Sequence, residues 1–252
     1  MVRSCEQAVA MGLPAIAFTE HLEFTVGGAG DAIVDVATDH RWWGRIRPLD
    51  VTGYMASIED CRQRFPELRI LSGVEAGEPH LFAASAGAIV HGHGFERVLG
   101  SLHAVPYQGR LVAADALFGP LPDDDAMRYY FAELVKLIEG SDLFQVLAHL
   151  DFPRRYWPKG AHLYREAPFE EDYRAVLRAL ASSGRVLEIN TKSPLVSVDL
   201  VRWWRESGGT AVSFGSDAHL PGRVGDRFKL AVDVVEAAGF RAGRDPFDFW
   251  RA

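Results

Sequence analysis

Four histidines and two acids in this chain, His21, Glu75, His103, His149, Asp217 and His219, are of the types that hold divalent metal ions. Imidazole and carboxylate donors without a thiolate suit Zn²⁺, Mn²⁺ or Fe²⁺, and six of them exceed what one tetrahedral ion uses. At least two ions are therefore implied. A single histidine of this kind is ordinarily a satisfied core or rim residue, so the inference rests on all six sharing one kind of position. Arg154 and Arg155 follow His149 closely, and a guanidinium fork beside metal ions suits a phosphate bound through paired hydrogen bonds. Asp151 offers one of the two a simple ion-pair partner instead. Lys159, Lys192 and Arg223 are weaker candidates for the same role, and Glu20 and Glu188 are candidates for orienting the imidazoles.

The shared position is the end of a short apolar run. Residues 15–18 lead to Thr19-Glu20-His21, 68–74 to Glu75, 97–102 to His103, 143–148 to His149, 185–189 to Asn190, and 211–216 to Asp217-Ala218-His219. Between these runs the 3.6-residue periodicity predicts helices over 51–64, 81–90, 123–139, 169–182, 199–206 and 227–238, with one more over 2–11. Strand and helix alternating in this way predict parallel βαβ units in a single α/β barrel. The loops at the carboxyl ends of such strands build the active site, and the six donors converge there. Two long irregular stretches, 22–50 and 104–122, follow strand ends and are expected to cover the site.

The other histidines test this reading. His91-Gly92-His93 is the more conspicuous metal motif, but it falls between a helix and the next strand, on the opposite rim, and reads as a solvated helix C-terminus. His80 sits at a helix start just past Glu75 and is left open between a structural and a functional role; His40 and His162 read as surface loop residues.

The chain has 252 residues, 27 Lys+Arg against 34 Asp+Glu and a net charge of -7. That size allows one large α/β domain or two small ones, and a site spread from His21 to His219 requires one. An acidic chain with no basic, aromatic-interleaved stretch argues against nucleic acid and for a small substrate. No run approaches the ~20 apolar residues of a membrane span, the N-terminus has no apolar leader, and Cys5 and Cys61 are too few for a disulfide framework. A cytoplasmic protein is expected. Oligomeric state is not legible, and the Trp42-Trp43 and Trp203-Trp204 pairs read as core or rim packing.

Thr19-Glu20-His21, Gly73-Val74-Glu75, Gly100-Ser101-Leu102-His103, Ala148-His149-Leu150-Asp151 and Gly215-Ser216-Asp217-Ala218-His219, in this order, resemble the motifs of the polymerase and histidinol phosphatase (PHP) superfamily. Residues 148–156, 188–191 and 216–225 are most similar to its histidinol-phosphatase branch. The resemblance implies a distorted (β/α)₇ TIM-like barrel and a metal-dependent phosphomonoesterase converting L-histidinol phosphate to histidinol and phosphate. It implies that His21, Glu75, His103, His149, Asp217 and His219 hold two to three divalent metal ions, zinc, manganese or iron, with Glu75, His149, Asp217 and His219 also catalytic, and that Arg154 or Arg155 binds the phosphate. Two further functions stay in view: a phosphoesterase of the same superfamily acting on nucleotides or other small phosphate esters, and a catalytically silent metal-binding protein.

One departure bears on this. The family opens with a strand ending in His-x-His, and no such segment precedes the 2–11 helix. Either the start lies upstream, or one metal position has been lost; the six intact donors favour the first, because a relaxed site would be expected to lose several.

Overall fold

The computed structural model describes residues 1–24, 31, 47–160, 162–192 and 194–252. His40, the Trp42-Trp43 pair and most of the 22–50 loop lie outside the described residues. In chain order the strands are β1 Ala15–Leu22, β2 Arg69–Gly77, β3 Arg97–Ser101, β4 Ala104–Tyr107, β5 Arg110–Ala113, β6 Val146–Leu147, β7 Val186–Asn190, β8 Ala211–Gly215 and β9 Trp250–Arg251. The helices are α1 Val2–Ala10, α2 Val51–Arg64, α3 Ala83–His93, α4 Asp123–Gly140, α5 Glu170–Ser182, α6 Val198–Glu206 and α7 Phe228–Ala237.

One sheet carries the order β1-β2-β3-β6-β7-β8-β9, parallel throughout except for the β8–β9 pair. It is the expected distorted α/β barrel in the form of a curled half-barrel. Among the described residues no ladder joins β1 to β8 or β9, so β1 is an edge.

Register separates the two faces. His21 pairs with Glu75, Glu75 with Leu99, Leu99 with Val146, Val146 with Val186, and Glu188 with Ser213. Side chains alternate along a strand, so these positions share the inner face. At the strands' amino ends that face is apolar, formed by Leu99, Val146, Val186 and Ala211; at their carboxyl ends it is polar, with His21, Glu75, Glu188 and Asn190. The outer face carries Val74, Val98, Leu147, Leu187 and Val212 into the main core against the helices.

Local chemistry explains where the helices start. Asp50 and Ser197 cap α2 and α6 by accepting the amides of Gly53 and Leu200, and α4 and α5 open with Asp123-Asp124-Asp125 and Glu170-Glu171-Asp172, acids suited to the positive end of the helix dipole. Three stretches depart from the sequence reading. The 104–122 stretch holds the β4–β5 hairpin and a short 3₁₀ turn, the strand expected over 143–149 narrows to two paired residues, and β9 comes from a tail in which no strand was expected.

That tail closes the apolar end of the inner face. Phe249 packs on Leu99, Val146, Ala148, Val186 and Ala211, with the Arg97 guanidinium 4.1 Å above its ring. Phe249→Ala is expected to cost about 2 kcal/mol, read as a shift of the urea midpoint at unchanged slope; an unmoved midpoint would mean that the plug carries no stability.

Candidate metal centre

The polar end of the inner face gathers all six donors. Glu75 stands at the centre: its Oε1 is 2.7 Å from His149 Nε2 and 3.3 Å from His103 Nε2, and its Oε2 is 3.5 Å from His21 Nδ1. The two Nε2 atoms of His103 and His149 are themselves 3.2 Å apart. Glu75, His103 and His149 are buried, whereas His21 and His219 stand half-exposed at the mouth with ring centroids 5.6 Å apart.

Asp217 completes the rim in a left-handed backbone conformation, φ 46°. Its carboxylate receives Arg155 at 2.7 Å and Lys192 at 2.8 Å, and Lys192 Nζ also lies 2.9 Å from His219 Nδ1. Of the two arginines only Arg155 joins the cluster. Arg154 is spent on Asp151 at 3.1 Å and Glu166 at 2.9 Å, the simple pairing that Asp151 offered. Lys159 is exposed, and Arg223 pairs with Asp226.

One residue that sequence reasoning missed lies in the middle of the site. Glu23 Oε1 is 2.6 Å from His103 Nδ1 and 3.2 Å from His21 Nδ1, and its side chain is 2% exposed. It follows β1 by one residue, and the only signal for it was an acid two places after a ligand histidine. Glu20, proposed as an orienting acid, is exposed instead, because strand alternation turns it away from His21. Glu188, the other acid so proposed, accepts the His149 backbone N–H at 2.8 Å and so holds that residue's main chain rather than its imidazole. Glu78 does the same for the His103 and Ala104 amides, at 2.6 and 2.8 Å.

The charges are strongly coupled. Burial works against an ionised Glu75, yet His103, His149 and His21 hold it well below the usual carboxylate range. Burial likewise opposes the charged form of Glu23, and the same His103 and His21 rings bring it down to about 2. Burial would lower His103, but the carboxylates of Glu23 and Glu75 outweigh it and raise the ring well above its ordinary value. His149 moves the other way, lowered chiefly by burial. Glu188 is pushed up to about 7 and Glu78 to about 8, in both cases mainly by burial and then by neighbouring carboxylates.

A concentration of buried anions and imidazoles fits a cation. Donors about 2.0–2.2 Å from an ion lie about 3.0–3.5 Å from one another, and the Glu75, His103 and His149 atoms already stand near that spacing.

The remaining histidines among the described residues lie apart. His91 and His93 are exposed at the end of α3, where Gly94 adopts the left-handed conformation that closes the helix, and His162 is exposed near Asp124. His80 lies against Gly140 with both ring nitrogens unpartnered, and burial, then Lys136, depress it to about 4. A folded value below the usual 6.5 means that the unfolded chain takes up the proton first. Stability from His80 is thus complete above pH 6.5 and drains away as the pH falls towards 4. Between pH 7.5 and 5 we expect a loss of about 2 kcal/mol that His80→Phe lacks, measured by urea unfolding at both values; parallel losses would rule it out.

Trp203 and Trp204 are buried in the core, as their sequence suggested. No helix among the described residues is long and apolar enough to cross a membrane.

Comparison with known proteins gives a consistent picture. The family model described as the PHP domain matches residues 1–192. A histidinol-phosphatase of Lactococcus lactis is 26% identical over 243 residues, covering 93% of this chain and 83% of that protein. A Deinococcus radiodurans protein named "Probable histidinol-phosphatase" is 26% identical over 250 residues, covering 94% and 86%. The crystal structure of the Lactococcus lactis histidinol phosphate phosphatase, in complex with zinc, L-histidinol and phosphate, superposes with a TM-score of 0.77 at 24% identity, covering 95% of this chain and 87% of that one.

Proposed function

The chain belongs to the PHP domain family, and on that premise we propose that it is a metal-dependent phosphomonoesterase whose substrate is L-histidinol phosphate. The observation that carries this reading is the convergence of Glu75, His103 and His149 within 2.7–3.3 Å, next to the paired cations Arg155 and Lys192. The names of the relatives and the zinc, histidinol and phosphate in the Lactococcus lactis structure support it.

In this reading Glu75, His103 and His149 hold one divalent ion, and His21, Asp217 and His219 contribute to one or two more, of zinc, manganese or iron. Bound ions would supply Lewis-acid activation of water and neutralise charge on the phosphoryl oxygens. Arg155 and Lys192, now engaged by Asp217, are the cations within reach of a phosphate at the mouth. Two cations match a monoester, whose phosphoryl group carries about two negative charges at neutral pH, better than a diester with one. Arg155, only 11% exposed at its side chain and also bonded to Asn190, is the one already held in place to give paired hydrogen bonds. In this reading the exposed His219 serves in the metal shell, and the departing alkoxide would take its proton at the solvent-open mouth beside it.

The substrate's ammonium group needs an acid elsewhere. Asp151 and Glu78 are candidates by sequence position, yet Asp151 is buried and paired with Arg154, and Glu78 is sealed under two backbone amides.

Phosphate release by the purified protein loaded with Zn²⁺ or Mn²⁺ tests the reading. L-histidinol phosphate should be hydrolysed in preference to nucleoside monophosphates and bis(p-nitrophenyl) phosphate, with activity lost on chelation. Preference for the diester, or a metal-loaded protein inert towards every monoester, would overturn it.

A further inference from the structure

We infer that Glu23 is a positioning residue: seated on the bare Cα of Gly77, it holds the Nδ1–H groups of His21 and His103 on one carboxylate oxygen and thereby presents both Nε2 atoms as metal donors. This rests on the metal-centre part of the reading above.

A neutral imidazole has one N–H and one lone pair. His103 touches carboxylates through both nitrogens: Nδ1 is 2.6 Å from Glu23 Oε1, while Nε2 faces Glu75 Oε1 at 3.3 Å and His149 Nε2 at 3.2 Å. Two candidate triads share this ring, His21 with Glu23 and His103, and Glu75 with His103 and His149. Filling both with metal through His103 would need a ring stripped of both protons. One triad must therefore orient the other. The Nε2 side carries the larger convergence of donors, so Nδ1 keeps its proton and Glu23 accepts it. A carboxylate oxygen has two lone pairs, and the second meets His21 Nδ1 at 3.2 Å. A carboxylate behind a ligand imidazole fixes its tautomer and rotation and raises its basicity.

Gly77 supplies independent support. A Cβ there would lie 2.0 Å from Glu23 Oε2 and 2.7 Å from its carboxyl carbon. Gly77 is not among the residues with positive φ, so its backbone gives no reason for glycine. The space taken by the Glu23 carboxylate does.

The test uses Zn²⁺ alone, without substrate. In the zinc-loaded protein, ¹⁵N-histidine NMR should find His21 and His103 protonated at Nδ1 and ligated through Nε2. By chelator competition Glu23→Gln and Gly77→Ala should each weaken zinc binding about 10- to 100-fold with the number of ions at saturation unchanged, and Glu23→Asp should recover part of the loss. Zinc on Nδ1 of either ring, a saturating count lower by one in Glu23→Gln, affinity within twofold of the parent in both variants, or no zinc uptake by the parent chain would each overturn the inference. If the variants fail to fold, the NMR of the parent protein decides alone. A parent chain that binds zinc as expected yet releases no phosphate from histidinol phosphate would sink the phosphatase reading and leave the role of Glu23 standing.

Discussion

Glu75→Gln is expected to lower phosphate release from L-histidinol phosphate by at least about a thousandfold, some 4 kcal/mol of transition-state stabilisation. The substitution keeps the shape of the side chain and removes its charge where three imidazoles converge on it, at 2.7, 3.3 and 3.5 Å. An amide presents one acceptor instead of two, and its NH₂ would face ring nitrogens that need an acceptor or an ion. The metal-free protein should feel this as well. Glu75 is one of two carboxylates that raise His103, so that ring should titrate lower in the variant. Metal content measured on the same preparation separates the outcomes. Loss of activity with loss of bound metal is the expected result, whereas full occupancy with more than a tenth of the activity retained would remove Glu75 from the centre of the site. Glu67→Gln, at an exposed turn before β2, is the control and should change neither quantity.

Glu75 is legible in the sequence and Glu23 is not, and the contrast shows what a linear sequence carries. Glu75, His103, His149, Asp217 and His219 each close an apolar run, and such a run read as a buried parallel strand puts its last residue on the rim whatever the details of packing. Glu23 has no such marker. It is placed by the way the chain leaves β1 and by the empty Cα of Gly77, a contact 54 positions away in sequence that no local pattern encodes. Arg154 and Arg155 were equivalent as sequence; only the turn after β6 sends one to Asp151 and Glu166 and the other to Asp217. The β4–β5 hairpin was missed for a different reason. Its turn, Gln108-Gly109, has positive φ at both residues, 50° and 79°, the backbone that Asn-Gly more commonly marks, and Pro106 breaks the strand pattern just before it. Strand β9 pairs through two residues only, and its position is set by Phe249 docking on the inner face rather than by strand propensity.

Gly215→Ala is expected to destabilise the protein by about 3–5 kcal/mol, a fall in melting temperature on the order of 10 °C, and to impair the site with it. Gly215 is the last residue of β8 and pairs with Asn190 on β7. A Cβ there would lie 1.8 Å from Glu188 Oε1 and 2.6 Å from its carboxyl carbon. Its φ is not positive, so space is again the constraint rather than backbone freedom. Glu188 cannot swing aside without loss, since its other oxygen accepts the His149 backbone N–H at 2.8 Å and the Asn190 side-chain amide at 3.1 Å. Leaving a buried N–H without an acceptor costs about 1–3 kcal/mol, and forcing a methyl into a packed site costs about 1–3 more. The freed amide belongs to a residue whose ring touches Glu75, so the damage should reach metal affinity as well as stability. Steric and polar causes separate in a double-mutant cycle with Glu188→Ala. That change alone should destabilise by stripping the acceptor from His149, but in the Gly215→Ala background it also removes the clash. The two costs should then sum to more than the double variant shows, by over about 1 kcal/mol. Strict additivity would mean that β8 yields to the methyl without disturbing Glu188, and that the glycine is not there to seat the acid behind His149.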